Sequence, residues 1–139
     1  MQKEWVRKTV PEWTAAQDQA VTAICDAVQK IATCGAQFDK AFHLATDASN
    51  MATGAVLFHL GQGAEANEVY DQKRHFDQIE IVQFMSFSLS DAESRYGIPE
   101  REMLAIVRAI KECEWLLRDS SFPIHVYTCL LYTSPSPRD

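Results

Sequence analysis

The feature that most restricts this chain is the order in which its apolar periodicity changes. Three short strand-like runs come first, at 41–47 (AFHLATD), 54–59 (GAVLFH) and 79–87 (IEIVQFMSF). A long run at helical spacing follows from Pro99, and a fourth strand-like run, 122–128 (FPIHVYT), comes after it. Alternation at period two buries one face of a strand, whereas recurrence at 3.6 buries one stripe of a helix. Asp47-Ala48-Ser49-Asn50 turns the chain between the first two runs, which read as a hairpin. Ser90-Asp91-Ala92-Glu93 turns it again before the helix. A helix that carries the chain back across such a sheet delivers the fourth strand parallel to the first. The expected fold class is therefore α/β: a mixed sheet of three antiparallel strands, a helix, and a fourth strand parallel to the first.

One more helix precedes this pattern. Val21, Ile24, Cys25, Val28 and Ile31 recur at helical spacing within 14–32, and Thr14 with Gln17 makes a capping-box pattern. Cys34-Gly35 supplies a stop signal. In the later helix, Met103, Ile106, Val107, Ile110, Cys113 and Leu117 define the apolar face, and Pro99 suits the first helical position. Residues 61–78 (GQGAEANEVYDQKRHFDQ) are polar and charged and read as a mobile loop. Its DQKRH cluster can be read as a phosphate contact or simply as a solvated loop.

Charge and composition remove several function classes. The chain has 13 basic and 19 acidic residues, a net charge of −6, which is the wrong sign for an autonomous nucleic-acid binder. An acidic metal site with phosphate-gripping neighbours remains compatible with that sign. No apolar run approaches the roughly 18 residues that span a membrane, and MQKEWVRKTVPEW has no signal-peptide core, so the expectation is an intracellular protein without a membrane partner. Cys25, Cys34, Cys113 and Cys129 form no C-x-x-C pair, and His43, His59, His75 and His125 lack zinc-ligand spacing.

Two carboxylates carry the chemical interest. Asp47 ends the first strand, and Glu102 lies in the first turn of the long helix. A helix packed on the sheet brings both to one end of the strands, where hard divalent cations find the oxygen ligands they require. Two such ions about 3.5–4 Å apart can activate a water and stabilise the leaving oxygen of a phosphodiester. Each residue also has a structural explanation: Asp as a turn former, and Glu as a complement to the helix dipole.

The segments FHLATDASNMATGAVL and ESRYGIPEREMLAIVRAIKECEWLL, followed by FPIHVYT, resemble the ribonuclease H domain of gypsy-type retrotransposon and retroviral reverse transcriptases. The family shows F-x-L-x-T-D-A-S, then G-A-V-L, then Y-x-x-x-E-R-E-x-L-A-I-V, then a strand ending in T-D-H. PEWTAAQDQAVTAICDAV is similar to the W-T-x-x-x-Q-x-A-F segment that joins the polymerase to this domain. The resemblance implies a ribonuclease H-like sheet, hydrolysis of the RNA strand of RNA–DNA hybrids, and two Mg2+ (or Mn2+) ions. It makes Asp47 and Glu102 the catalytic and metal-binding residues. Glu100 is expected at the surface, Ser49 and Asn50 near the hybrid's backbone or simply in the turn, and Tyr96, Leu104 and Trp115 in the core. The implied partners are an RNA–DNA hybrid and the rest of a pol polyprotein, in a cytoplasmic particle or the nucleus.

Departures from the family pattern matter. Cys129 stands where the family has its third metal-binding aspartate, and a thiolate is a poor magnesium ligand. Ser86-Phe87-Ser88-Leu89 replaces S-R-K-L, and the 61–78 loop is long and acidic for the family. The last eleven residues, CLLYTSPSPRD, resemble the translation of a transposase mosaic-end sequencing adapter, so the native reading is expected to stop at Thr128. The expected organisation is 1–37 as the end of a reverse transcriptase with its connector helix, 38–128 as a partial ribonuclease H-like domain, and 129–139 as non-native. Two carboxylates cannot fix two ions, so the fragment itself is expected to be inactive. The rival from a different class is a non-catalytic connector or scaffold module of the same fold. A sugar-kinase or actin-like relative lacks its second phosphate-binding hairpin.

Overall fold

A computed structural model describes residues 11–31 and 33–128, and the chain divides into two compact units, 1–32 and 33–139. In the first unit, α1 spans Ala15–Lys30. Thr14 caps it as expected, its N–H donating to Gln17 Oε1 at 2.6 Å. Trp13 Nε1–H donates to Asp18 Oδ1 at 2.5 Å, tying the entry to the first turn. The helix ends at Ile31, which has turned to extended backbone, before the expected Cys34-Gly35 stop. None of its residues is buried: the expected apolar stripe of Val21, Ile24, Val28 and Ile31 is exposed.

The second unit is built on four strands, β1 (His43–Ala48), β2 (Ala52–Leu60), β3 (Ile79–Ser88) and β4 (His125–Thr128). Their order is β3-β2-β1-β4, with β1 and β2 antiparallel, β2 and β3 antiparallel, and β4 parallel to β1. The mixed sheet is as expected. The β1–β2 turn closes on Ser49, whose N–H donates to Ala52 O at 2.9 Å while its Oγ accepts from the N–H groups of Met51 and Ala52, both at 3.1 Å. Ser49 and Asn50 thus belong to the turn, and Ser49 is fully used by it. Between β2 and β3 the register slips: Gln83 faces Leu57 but Ile81 faces Phe58. The extra residue, Val82, is turned toward the core by this bulge.

Helix α3 spans Ile98–Leu117, starting one residue before Pro99, so that Glu102 falls just beyond the first turn. It packs on one face of the sheet. Phe42, Leu44, Ala55, Leu57 and Met85 from that face meet Ala109, Cys113 and Leu116 from the helix. Burying one such Leu or Phe stabilises the fold by roughly 1.5–3 kcal/mol. The buried stripe is Glu102, Ala105, Ala109, Cys113 and Leu116. This corrects the sequence expectation, because Met103 and Val107 are exposed. Alanines at 105 and 109 let the helix lie close to the sheet, whereas the apolar pattern follows the larger side chains and is rotated from the true stripe. Tyr96 and Trp115 are corrected likewise, at 46% and 69% exposed, while Leu104 is half-buried. Trp115 is two residues from Cys113, about 200° around the helix.

The 61–78 segment also departs from the reading as a mobile loop. It contains α2 (Gln72–His75), capped by Asp71, whose Oδ1 accepts from Lys73 N–H at 2.8 Å and Arg74 N–H at 3.1 Å. Tyr70 N–H donates to Tyr127 Oη at 2.8 Å, and Ala41 N–H donates to Ala66 O at 2.7 Å. The Tyr70 ring meets Phe58 and Tyr127 edge-on, at centroid distances of 5.5 and 5.7 Å. The segment is a strap across the open face of the sheet, at the end where β1 begins.

Candidate active site

Asp47 is the fifth residue of β1 and is exposed, on the face opposite Phe42, Leu44 and Thr46. Directly across from it stands Gly54, so no neighbouring side chain covers the carboxylate from β2. Ala45, Gly54, Val56 and Phe84 floor a shallow open groove of about 400 Å³ that reaches Asp47. Asp47 Oδ1 accepts from the N–H of Ala48 at 2.9 Å.

Glu102 is only 5% exposed and heads the stripe that α3 lays on the sheet. Its carboxyl is held above the usual range, first by burial and then by the negative charge of Asp47. The Ala48 N–H and the Arg101 charge pull in the opposite direction but do not prevail. The two sequence-predicted carboxylates are therefore brought to the same end of β1, close enough to repel. Glu102 Oε2 is buried with no hydrogen-bond partner. A buried carboxylate with one oxygen unpartnered and a second carboxylate nearby is costly in a protein alone, and such a pair suits a hard divalent cation. The donor set therefore fits magnesium or manganese. Among the described residues no group of three His, Cys, Asp or Glu could hold a metal ion. The expected third ligand position, 129, and the adapter-like 129–139 lie outside the described residues. β4 ends at Thr128, which pairs with Thr46 beside Asp47.

Arg108, midway along α3, donates to Glu93 in the preceding 3₁₀ turn and to Ser88 O at 3.4 Å. Arg108 and Ser90 hold Glu93 down at about 2. These contacts tie the middle of α3 to the end of β3 and to the turn that follows it. Glu100 is exposed, as expected.

The DQKRH cluster lies at the other end of the sheet. Arg74 pairs with Glu68 at 2.9 Å, and His75 is buried against the same carboxylate at 3.2 Å. The arrangement is structural and shares nothing with Asp47.

Residues 37–129 match the family described as the RNase H-like domain found in reverse transcriptase. The chain belongs to this family. Over 118 residues it is 30% identical to the transposon Tf2-3 polyprotein of Schizosaccharomyces pombe, a match that covers 84% of the chain and 8% of the polyprotein. The Tf2-4 polyprotein of the same yeast matches equally. The chain thus spans under a tenth of these relatives. The ribonuclease H-like fold is also that of prototype foamy virus protease–reverse transcriptase, with a TM-score of 0.63 at 11% identity, covering 88% of this chain and 14% of the viral one. A foamy viral protease–reverse transcriptase solved in complex with an RNA/DNA hybrid gives 0.55 at 13% identity, with the same coverage. The structure places the two expected carboxylates at one end of β1, where Thr46 and Thr53, which the sequence reading did not single out, are buried on the α3 face. Their position on the strands facing α3 was the only signal.

Proposed function

We propose that this chain is part of a gypsy-type retrotransposon pol polyprotein whose ribonuclease H domain hydrolyses the RNA strand of RNA–DNA hybrids. The observation that carries this reading is the convergence of Asp47 with Glu102, whose buried Oε2 has no protein partner. The 30% identity to Tf2 polyproteins supports the element type. The hybrid in one of the structural neighbours supports the substrate class.

Asp47 and Glu102 would hold the cations. When bound, divalent ions such as Mg2+ or Mn2+ supply Lewis acidity and lower the pKa of water at a phosphodiester. The chain's own contribution is placement. Asp47 stands exposed at a strand end, with Gly54 opposite and room for a backbone to approach. Glu102 is fixed by the packing of α3 and is shielded from water. The product ends would be a 3′-hydroxyl and a 5′-phosphate. The hybrid would be gripped through shape and 2′-hydroxyls rather than base edges, with the remainder of the polyprotein supplying basic contacts that a net charge of −6 does not.

We place 1–37 as the end of the polymerase and its connector, 38–128 as the incomplete domain, and 129–139 as non-native. The setting is a cytoplasmic particle or the nucleus. The fragment alone is inactive on this reading, since two carboxylates do not fix two ions. The rival reading is a non-catalytic scaffold module of the same fold, against which the retention of both Asp47 and Glu102 counts.

Mn2+ titration of a chain extended past Thr128 along the source locus separates the two. Uptake that drops roughly 100-fold on Asp47→Asn, with hybrid cleavage that disappears with it, supports the nuclease; indifference to Asp47 leaves the scaffold.

A further inference from the structure

Three buried side-chain oxygens at the Asp47 end have no hydrogen-bond partner: Glu102 Oε2, Thr46 Oγ1 and Thr53 Oγ1. The fourth such atom among the described residues, Gln78 Oε1, lies at the opposite end, just before β3 begins. Thr46 and Thr53 are 4% and 2% exposed, so water at the surface does not serve them. The β1–β2 register puts both on the α3 face. Thr46 stands opposite the core residue Ala55, and Thr53 opposite Ala48, which makes the two threonines diagonal neighbours. Diagonal positions of a sheet lie about 7–8 Å apart. Glu102 heads the buried stripe of α3, and the N–H that acts on its carboxylate belongs to Ala48, the residue paired with Thr53. β1, β2 and α3 therefore each contribute an unpaired polar group to one layer.

Buried polar groups are nearly always paired, and three orphans in one layer share a cause more readily than three separate ones. A hydroxyl donates and accepts, whereas an ionised carboxylate only accepts. One internal water with about three polar partners satisfies such a set. We propose that Thr53 and Thr46 are positioning residues for Glu102. Through one shared internal water they hold Oε2 and fix the carboxylate rotamer, so that the other oxygen is presented toward Asp47. The water donates to Oε2 and to one threonine oxygen and accepts from the other hydroxyl. The consequence for cation binding rests on the metal-site reading above; the positioning itself does not.

The test uses the 139-residue chain, with Mn2+ as the probe (free ion followed by electron paramagnetic resonance) and thermal melts without metal. Thr53→Val keeps the shape and removes the hydroxyl. The expected result is Mn2+ binding weakened on the order of 10–100-fold, as for other groups that orient a ligand, and restored by Thr53→Ser. In melts, Thr53→Val is expected to lower Tm by several degrees in the wild-type background and to have little effect beside Glu102→Gln. Wild-type Mn2+ affinity in Thr53→Val, or an equal Tm shift in both backgrounds, overturns the proposal. If the 139-residue wild type shows no Asp47-dependent uptake, as a site short of its third ligand allows, the melt comparison alone decides the positioning, and the metal reading is tested separately on the extended chain. Should Thr53→Val lose its cooperative melt, Thr46→Val takes its place in the same cycle.

Discussion

The two ends of the sheet solve opposite problems with similar materials. At the end where β1 begins, His43, Phe58 and Tyr127 stack on the open face, and the strap lies over them. Every imidazole there has a partner. His43 Nδ1 lies 2.8 Å from Tyr127 Oη, and the Tyr127 hydroxyl also accepts from Tyr70 N–H. His59 accepts from Gln37 N–H at 2.9 Å and donates to Ala41 O at 2.9 Å. His75 accepts from Asp71 N–H at 2.8 Å, and His125 Nε2 lies 2.8 Å from Asn67 Oδ1. At the end where β1 finishes, Asp47 and Glu102 repel, and an oxygen is left unpaired. Both ends shift pKa values, for burial lowers His43 to about 4 and raises Glu102. A shifted pKa is therefore no mark of function by itself. The marks that separate the ends are the missing partner and the second like charge.

The largest effect that tests this contrast comes from pH. The folded-state value of His43 is lowered from 6.5 to about 4 by burial and by His125, His59 and His75 nearby. Below 6.5 the unfolded chain takes up a proton that the native chain refuses, so stability falls as pH drops. The loss is complete once pH passes below the folded value. Across that window it amounts to roughly 3 kcal/mol, and His59, also lowered, adds in the same direction. Urea unfolding at pH 7 and pH 4.5, with His43→Gln as control, reads it. An equal pH slope in the variant breaks the account.

Next is Tyr127→Phe, which strands the Tyr70 N–H and the His43 nitrogen together. It should cost roughly 2 kcal/mol while leaving Mn2+ affinity unchanged. A changed affinity means that the ends are coupled. Glu102→Gln should act with the opposite sign, stabilising by about 1 kcal/mol in chemical denaturation, because it removes a buried charge that faces another carboxylate. Destabilisation of that size makes Glu102 an ordinary structural residue. Ser49→Ala should give the smallest effect. It loses the turn bonds to Met51 and Ala52 at about 0.5–1 kcal/mol and, if Asp47 alone carries the chemistry of that hairpin, leaves Mn2+ uptake as it was.

The two candidate carboxylates were legible because they stand in motifs that resemble a family's, one at a strand end and one near a helix start. The remainder was not. Apolar spacing marks Met103 and Val107 as core, but Ala105 and Ala109 are what touch the sheet, since close approach rewards small side chains. Residues 61–78 are polar and punctuated by glycine, which reads as a loop. Their hold comes from Tyr70 and Asn67 meeting β2 and β4 residues far away in sequence. Local pattern carries no record of such pairs.

The sequence by itself determined the order of the four strands and two long helices, the antiparallel hairpin and the parallel return of β4. These follow from periodicity, turn chemistry and the handedness of the crossover, all of them local or topological rules. Only the tertiary structure decided which stripe of α3 is buried, and that Glu102 has an oxygen with no partner. It alone gave Thr46 and Thr53 a place in that layer and assigned the histidines to structure. Burial and pairing are properties of groups that meet through space, and a carboxylate's environment is set by what packs around it.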